Sequence, residues 1–479
     1  MENVLKNFLI IPYDELEERN LAAKAKRSDR ANFDAEKLEA EYRKYLKEEK
    51  RLKAVTVVFS DLEGRFQMLD YDKKFLLNSS GNLTFDGSSI RGFSEVEASD
   101  LRLRLDWASF YWLPADVFGN GKVILFADIL TPKGEIHPAD FRARLKQYAD
   151  ELFQKNKFQI NVANEVEGFL LEGMDVESKY SELDGFQVVS PGGYYHSLPQ
   201  DRLKLFIDAT AEAQRAMGFQ NEKDHPEVAP SQFELNYTYS DIINAADQIQ
   251  LYKLTARQVA RSMNATASFL PKPITGINGS GMHTNISIFQ NGKNLFYKKN
   301  GKDGVSELAD NFIDRVLASA TDISLILNPS VNAYRRLDSH FEAPNQIKYS
   351  AFDRTSMVRI PLGNEKSTRL EIRSVGPDAN PYLLLFILLK VGLEGPKQEL
   401  DEAKRQRTRV LPGNIYDALR IFKTSDLMTR FLGKEIQEKF ADLKETVANR
   451  SPKELGKTVK RSEVIYHHEI TNQLIWNQF

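Results

Sequence analysis

Asn278-Gly-Ser-Gly-Met-His-Thr-Asn-Ile-Ser-Ile288 joins a glycine turn to a histidine-bearing strand in one short run. Strand side chains alternate between two faces, so Met282, Thr284, Ile286 and Ile288 share one face while His283, Asn285 and Ser287 line the other. A polar strand face of this kind is aimed at something other than a hydrophobic core. Three further segments repeat the pattern. In NEVEGFLL (164–171), Glu165 and Glu167 share a face and Val166 points away. In TRLEIRS (368–374), Arg369, Glu371 and Arg373 lie opposite Thr368, Leu370 and Ile372. The segment EVAPSQFELN (227–236) adds Glu227 and Glu234.

Carboxylates gathered on one surface repel one another and raise one another's pKa unless a cation sits between them. Hard divalent ions such as Mg2+ or Mn2+ accept oxygen ligands, and an imidazole among the donors suits the Mn2+-like ion. The neighbouring arginines fit phosphate oxygens, which a guanidinium grips through two N–H groups at once. Carboxylates for metal beside arginines for phosphate point to phosphoryl transfer from a nucleotide. Taken singly, each signal has a plainer reading. Glu-x-Glu is a solvated sheet face, a lone strand histidine is an ordinary hydrogen-bonded side chain, Arg369-Glu371-Arg373 is a surface charge ladder, and Gly276, Gly279 and Gly281 mark a turn.

In chain order the segments form a more specific series: FDGSSIRGF (85–93), EVEGFLL (165–171), GGYYHSLP (192–199), HPEVAPSQFE (225–234), KPITGINGSGMHTNIS (272–287), NPSVNAYRRL with EAP (328–344), RTSMVRIP (354–361) and RLEIRSVGPDANPYL (369–383). The series resembles the glutamine synthetase family, of the bacterial and archaeal dodecameric type, from about Leu38 to the C-terminus. The resemblance implies an α+β chain, with an N-terminal β-grasp domain followed by a catalytic domain built on a curved, mostly antiparallel β-sheet, a half-barrel, flanked by helices. The expected divisions are a helical N-terminal extension (1–53), the β-grasp domain (54–138) and the catalytic domain (139–479). Most family members start much closer to residue 54, so the extension is a departure.

Composition agrees with an intracellular enzyme. A chain of 479 residues exceeds one typical core. The absence of cysteine excludes disulfide frameworks, thiolate zinc sites and cysteine nucleophiles. No apolar run approaches the roughly 20 residues that span a bilayer, and the charged N-terminus does not read as a signal peptide, so a cytoplasmic location is expected. A net charge of −2 implies no general binding to nucleic acid.

Locally, residues 35–53 read as an exposed helix with i,i+4 charge pairs. TVVFSDLEGRFQMLDY reads as a hairpin turning near Glu63-Gly64, and GKVILFADIL as a buried strand. Helical patterns follow in ADFRARLKQYADELFQKN, RLKLFIDATAEAQRAMG and ADQIQLYKLTARQVARSMNATA, while NPYLLLFILLKVGLEG reads as a core helix. KQELDEAKRQRTR (397–409) reads as an exposed charged connection.

Residue by residue, the resemblance implies that Glu167, Glu227 and Glu234 hold a cation on the glutamate side, and Glu165, His283 and Glu371 a second on the nucleotide side. Arg354, Arg359 and Arg369 match phosphate-binding arginines, with Lys366, Ser287 and Asn285 near the nucleotide. Arg336 and Arg373 match residues that hold glutamate, helped by backbone at Asn278 and Gly279, and His283 and Glu227 also border that substrate. Asp86 matches the base that deprotonates ammonium, with Tyr194, Glu227, Ser89 and Glu342 completing its pocket. Glu342 lies on the family's flap, which shields the activated intermediate from water. The family brings the Asp86 segment from a neighbouring subunit, so a homo-oligomer is implied, a dodecamer of two hexameric rings. The implied reaction joins ammonia to the γ-carboxylate of glutamate through γ-glutamyl phosphate, with ATP as co-substrate and two or more Mg2+ or Mn2+ ions.

Several positions depart from the family pattern. Asn285 stands where many bacterial members carry a second histidine, HPE replaces HHE before Glu227, Gly168 replaces a bulky aromatic, and Asp338-Ser339-His340 replaces Pro-Gly near the flap. Two other functions fit less of the pattern. A γ-glutamyl amine or polyamine ligase would use the same activation but alter the ammonium pocket. An inactive homologue serving as a binding or structural protein would lose metal ligands.

Overall fold

The computed structural model describes residues 7–29, 32–94, 99–195, 201–337, 343–397, 409–450 and 459–465, and within them the strands form two sheets. The first contains β1 (Ala54–Ser60), β2 (Phe66–Tyr71), β3 (Leu83–Asp86), β4 (Asp100–Leu105), β5 (Tyr111–Trp112) and β6 (Lys122–Leu130), in the order β2-β1-β6-β4-β3 with β5 against β6. β1 and β2 make the expected hairpin. Its turn needs glycine at position 64, where φ is +90° and a Cβ would lie 2.6 Å from the Asn380 Cα. The central pair β1 and β6 is parallel, and its apolar runs are buried on both faces. This is the β-grasp domain.

The second sheet contains β7 (Phe158–Glu172), β8 (Asn221–Pro226), β9 (Gln232–Tyr237), β10 (Ser240–Asp241), β11 (Ala265–Ser268), β12 (Met282–Gln290), β13 (Lys293–Asn294), β14 (Gln346–Ser350), β15 (Ser356–Arg359) and β16 (Leu370–Ile372). Its order is β14-β15-β16-β12-β7-β9-β8, with β10 and β11 also on β7 and β13 on β12. Every named pairing is antiparallel except β14 with β15. The sheet curls into a half-barrel flanked by helices. Helices Phe141–Asn156, Arg202–Ala216 and Ile242–Ser262 pack against its strands, and Pro381–Glu394 packs against the first and third of these.

Helix Pro381–Glu394 is the expected core helix. Asn380 caps it by accepting from the Tyr382 and Leu383 amides at 3.0 and 3.3 Å, Pro381 opens the first turn, and Gly395 ends it. Among the described residues no helix is long and apolar enough to cross a membrane. The pattern read as one helix over ADQIQLYKLTARQVARSMNATA divides: the helix spans Ile242–Ser262, and the chain then turns into β11, where Thr266 and Ala267 pair with Leu171 and Leu170. Most of the segment 397–409 lies outside the described residues.

The N-terminal extension forms α1 (Tyr13–Ser28) and α2 (Ala35–Glu48). The exposed-helix reading of residues 35–53 needs correction, because only one side of α2 faces solvent and the helix stops at Glu48. Leu38, Tyr42 and Leu46, four residues apart, are buried, and Tyr42 stacks on Phe110 with centroids 4.5 Å apart. The expected i,i+4 ion pairs, Glu39 with Arg43 and Lys44 with Glu48, occupy the other side. α1 straps the two sheets together. The Asn20 amide donates to the Trp112 carbonyl at 3.0 Å and the Ala216 carbonyl at 2.8 Å, and it accepts from the Trp112 amide at 3.1 Å.

A second fastening is wholly buried. Arg142 on helix Phe141–Asn156 grips both oxygens of Asp247 at 2.9 and 2.8 Å, and also Asp106 at 2.9 Å and Asp128 at 3.2 Å from the β-grasp region. Burial disfavours the charge on Arg142, but these three carboxylates outweigh it and hold its pKa well above the ordinary arginine range. Asn20→Ala would leave buried backbone groups without partners and should destabilise the fold by about 1–3 kcal/mol. Lys44→Ala, which removes an exposed ion pair, should cost no more than about 0.5 kcal/mol. Urea denaturation of both variants checks the contrast.

Candidate active site

Register assembles the site. Across β7 and β12, His283 stands opposite Glu165, Asn285 opposite Ala163 and Ser287 opposite Asn161. β9 places Glu234 opposite Glu167, and β8 places His225 opposite Glu234. On the other flank β16 places Glu371 opposite Asn285, and β15 places Arg359 opposite Glu371. Paired residues share a face, so the four segments singled out in the sequence form one polar row across the half-barrel. Val166 and Met282 are fully buried on the opposite face, as the alternation requires.

The row contains two clusters. In the first, His283 Nδ1 lies 3.4 Å from Glu165 and 3.8 Å from Glu371. In the second, His225 Nδ1 lies 3.5 Å from Glu227 and Nε2 lies 3.7 Å from Glu234. Within each cluster the candidate ligand atoms fall within 4.8 Å of one another. Glu167 stands between them. Its Oε2 accepts from the Gly281 amide at 2.8 Å and from Gln232 at 3.3 Å, while its Oε1 lies 3.8 Å from His283 Nε2. Gly281 allows this approach, since a Cβ there would lie 2.5 Å from Arg336 Nη2 and 2.9 Å from His283 Nε2.

Arginines ring the clusters. Glu371, almost fully buried, accepts from Arg359 at 2.8 Å and Arg373 at 2.5 Å. Arg369 donates to the Asn285 side-chain oxygen at 3.0 Å, and Asn285 donates to Glu165 at 3.1 Å. Arg336 is buried, donates through Nη2 to the Arg373 carbonyl at 3.0 Å, and leaves Nη1 without a partner. Burial lowers its pKa to about 10.

The electrostatics record the crowding. Burial, then Glu167 and Glu165, push Glu227 up to about 8. Burial and the same neighbours, joined by Glu227, raise Glu234. Burial would raise Glu165 as well, but His283, Asn285 and Lys223 outweigh it and hold the carboxyl down at about 2. Acidic oxygens that resist ionisation beside an orphaned imidazole nitrogen form a donor set suited to divalent cations.

A cleft of about 370 Å³ exposes Glu165, Glu167, Tyr194, Glu227, Glu234, Asn278, Gly279, His283, Arg336, Arg354, Arg359, Arg369 and Arg373. The structure therefore brings most of the sequence-derived candidates together. Ser287 lies further along β12, buried and outside the lining. Lys366 is exposed on the neighbouring 364–368 turn, its amide donating to Asn364. Asp86 and Ser89 stand at the end of edge strand β3, outside the lining, where Ser89 donates to Asp86 at 2.5 Å. Hydrogen bonds from Ser88 and Ser89 lower the Asp86 pKa. Glu342 and the departure at residues 338–340 lie outside the described residues.

The sequence reading missed three polar residues that line the cleft, Lys223, Gln232 and Tyr195, and His225 beside them. Lys223, His225 and Glu227 are two residues apart, so strand alternation offered the signal, but Pro226 drew attention as a departure. Gln232 locks Glu167 and also donates to the Gly279 carbonyl at 3.0 Å. Tyr195 stacks on Tyr194 with centroids 3.8 Å apart, and both rings meet His225 edge-on. Burial, then the hydrogen bond with Tyr195, raise the Tyr194 pKa. Gly168, on the face away from the cleft, sits opposite Phe233, where a Cβ would lie 2.6 Å from the Phe233 ring.

A β-grasp sheet joined to a half-barrel whose acidic inner face is ringed by arginines marks the chain as a ligase. Residues 138–458 match the family description "Glutamine synthetase, catalytic domain" and residues 51–132 "Glutamine synthetase, beta-Grasp domain", and the chain belongs to the glutamine synthetase family. It is 34% identical over 417 residues to a glutamine synthetase of Staphylococcus aureus (strain MW2), covering 83% of this chain and 92% of that protein. It is 33% identical over 432 residues to a glutamine synthetase of Methanosarcina mazei, covering 90% and 92%. Among solved structures, GmaS in complex with ADP superposes with a TM-score of 0.71 at 27% identity, over 84% of this chain and 94% of that one. Plasmodium falciparum glutamine synthetase shares the fold, with a TM-score of 0.75 at 20% identity over 86% and 95%.

Cations held by the clusters would relieve the repulsion among carboxylates and stabilise the folded chain. Saturation at about 100 times the dissociation constant should add about 2.7 kcal/mol, and a chelator should reverse it. Glu234→Gln should abolish part of this response while raising the Tm of the metal-free protein, because it removes one of the crowded charges. Thermal unfolding with Mn2+ and with EDTA measures both effects.

Proposed function

We propose that this chain is a glutamate–ammonia ligase, phosphorylating the γ-carboxylate of glutamate from ATP and transferring the γ-glutamyl group to ammonia. One observation carries the reading: two carboxylate–imidazole clusters present Glu165, His283, Glu227 and Glu234 to a cleft also lined by Arg336, Arg354, Arg359, Arg369 and Arg373. The family generally uses ATP and divalent metals. In this reading Glu167, Glu227 and Glu234 hold one cation and Glu165, His283 and Glu371 another. Such ions, when bound, screen the negative charges that phosphoryl transfer brings together.

The remaining work falls to the side chains. Arg336 and Arg373 orient glutamate, and the unpartnered Nη1 of Arg336 is a buried donor awaiting a carboxylate. Asn278 and Gly279 border the same end of the cleft. Arg354, Arg359 and Arg369 neutralise the transferred phosphoryl group, with Ser287, Asn285 and Lys366 on the nucleotide side. Ammonium has no lone pair, so a base must remove a proton before attack on the acyl phosphate. Asp86 takes that role, with Ser89, Tyr194, Glu227 and Glu342 around it.

Asp86 and Ser89 do not line the cleft of their own chain. The reading therefore includes a homo-oligomer, a dodecamer of two hexameric rings, in which the β3 edge of one subunit completes the site of the next. Asp86→Asn should lower kcat by about 10²–10⁴-fold. Hybrid oligomers assembled from Asp86→Asn and Arg336→Ala subunits should regain activity that neither parent shows. Hybrids as inactive as both parents would mean that each site is built within one chain.

A second reading, a γ-glutamyl amine ligase, is favoured by the exposed Tyr194–Tyr195 stack, whose ring faces suit an alkylammonium. The likeness to GmaS, a γ-glutamylmethylamide synthetase, supports it too. Phosphate release from ATP with glutamate and Mg2+ separates the two when ammonium, methylamine, ethanolamine and putrescine are compared. Saturable turnover is expected to be best supported by ammonium. A preference for an amine would transfer the assignment to the second reading.

A further inference from the structure

We propose that His225 is a metal ligand, its Nε2 completing with Glu227 and Glu234 the site of the glutamate-side cation. The proposal deepens the two-cation reading above and rests on it.

The tautomer comes first. His225 Nδ1 lies 3.1 Å from the Pro226 carbonyl, which only accepts, so Nδ1 carries the proton. Nε2 is then a bare lone pair. It is buried, has no hydrogen-bond partner, and faces Glu234 Oε1 at 3.7 Å. Two acceptors pointed at each other across a gap beyond hydrogen-bond reach repel, and a cation between them reverses the sign.

Size and support agree. Ligands of a small divalent ion, each at about 2.1 Å from it, sit about 3.0–3.5 Å apart. His225 Nε2 lies 3.7 Å from Glu234, and one ligand atom each from His225, Glu227 and Glu234 fall within 4.8 Å of one another, so small shifts close the three residues on an ion. Ligating histidines hold their second ring nitrogen on a carbonyl or carboxylate, and the Pro226 carbonyl supplies that hold. Tyr194 and Tyr195 meet the imidazole edge-on, with centroids 5.6 and 5.1 Å away, and restrict its rotation. Glu167, pinned by the Gly281 amide and Gln232, stands between the two clusters.

An imidazole in each cluster has a consequence for the ion. Nitrogen donors favour later, softer divalent metals over Mg2+, so both sites, rather than one, should prefer Mn2+ to Mg2+. Loss of His225 should narrow that preference at one site only.

Mn2+ binding to the full chain, followed by equilibrium dialysis and pulsed EPR, tests the assignment. The wild type should bind two ions, both coupled to histidine nitrogen. His225→Ala should weaken one site by about 10–100-fold and leave the coupling from His283, and His283→Ala should give the complementary result. His225→Gln, which keeps a polar side chain of similar reach, serves if the alanine variant does not fold. The nitrogen count on the wild type, with histidine labelled by 15N, needs no variant. Unchanged affinities in His225→Ala or His225→Gln together with nitrogen coupling at only one wild-type ion would overturn the proposal, while weakening in His283→Ala would leave the two-cation reading standing. A wild type that binds no Mn2+ would remove both.

Discussion

The register of β7 against β12 and β9 is the constraint on which the rest depends. A slip of one residue would turn His283, Glu165 and Glu167 towards the helices and Val166 and Met282 towards the cleft. Apolar burial on the helix side therefore specifies the position of each acidic group on the other. The cost of the arrangement is electrostatic. Two unit charges 4 Å apart interact by about 4 kcal/mol at an effective dielectric of 20, comparable to a large share of a domain's net stability. The fold meets this by interleaving countercharges: Glu371 sits between Arg359 and Arg373, and Glu167 takes a backbone N–H from Gly281.

Outside the half-barrel, stability comes from parts that join the sheets. Arg142 ties Asp106 and Asp128 to Asp247 in a fully buried set, and Asn20 on α1 bridges Trp112 and Ala216. The N-terminal helices thus belong to the framework that carries the cleft. α2 looked like a charged surface helix because its sequence is dominated by Glu, Lys and Arg. Three residues, Leu38, Tyr42 and Leu46, determine how it packs.

Most of the candidate site was legible because strand alternation is a short-range rule. Glu165 with Glu167, and Arg369 with Glu371 and Arg373, declare their common face within a few residues. The resemblance then joined segments that spacing alone leaves separate. What escaped was set by pairing between strands far apart in the chain. Nothing local to Gln232 says that it will reach Glu167, and nothing local to Tyr195 says that it will meet His225 edge-on. Asp86 illustrates the opposite limit. Its motif is legible, yet its position on an exposed edge outside the cleft gives it no partner there within one chain.

Gly168 carries a consequence for how this sequence can change. The volume that a side chain at position 168 on β7 would take is occupied from β9 by Phe233, with Phe269 alongside. The bulk stands on one strand and the space for it is left by its neighbour. Neither position is then free to mutate alone: a ring at 168 collides, and a small residue at 233 opens a void beneath the acidic row. The two sites form an epistatic pair, so relatives should divide into lineages with bulk at one position or the other, and a path between them passes through a destabilised intermediate.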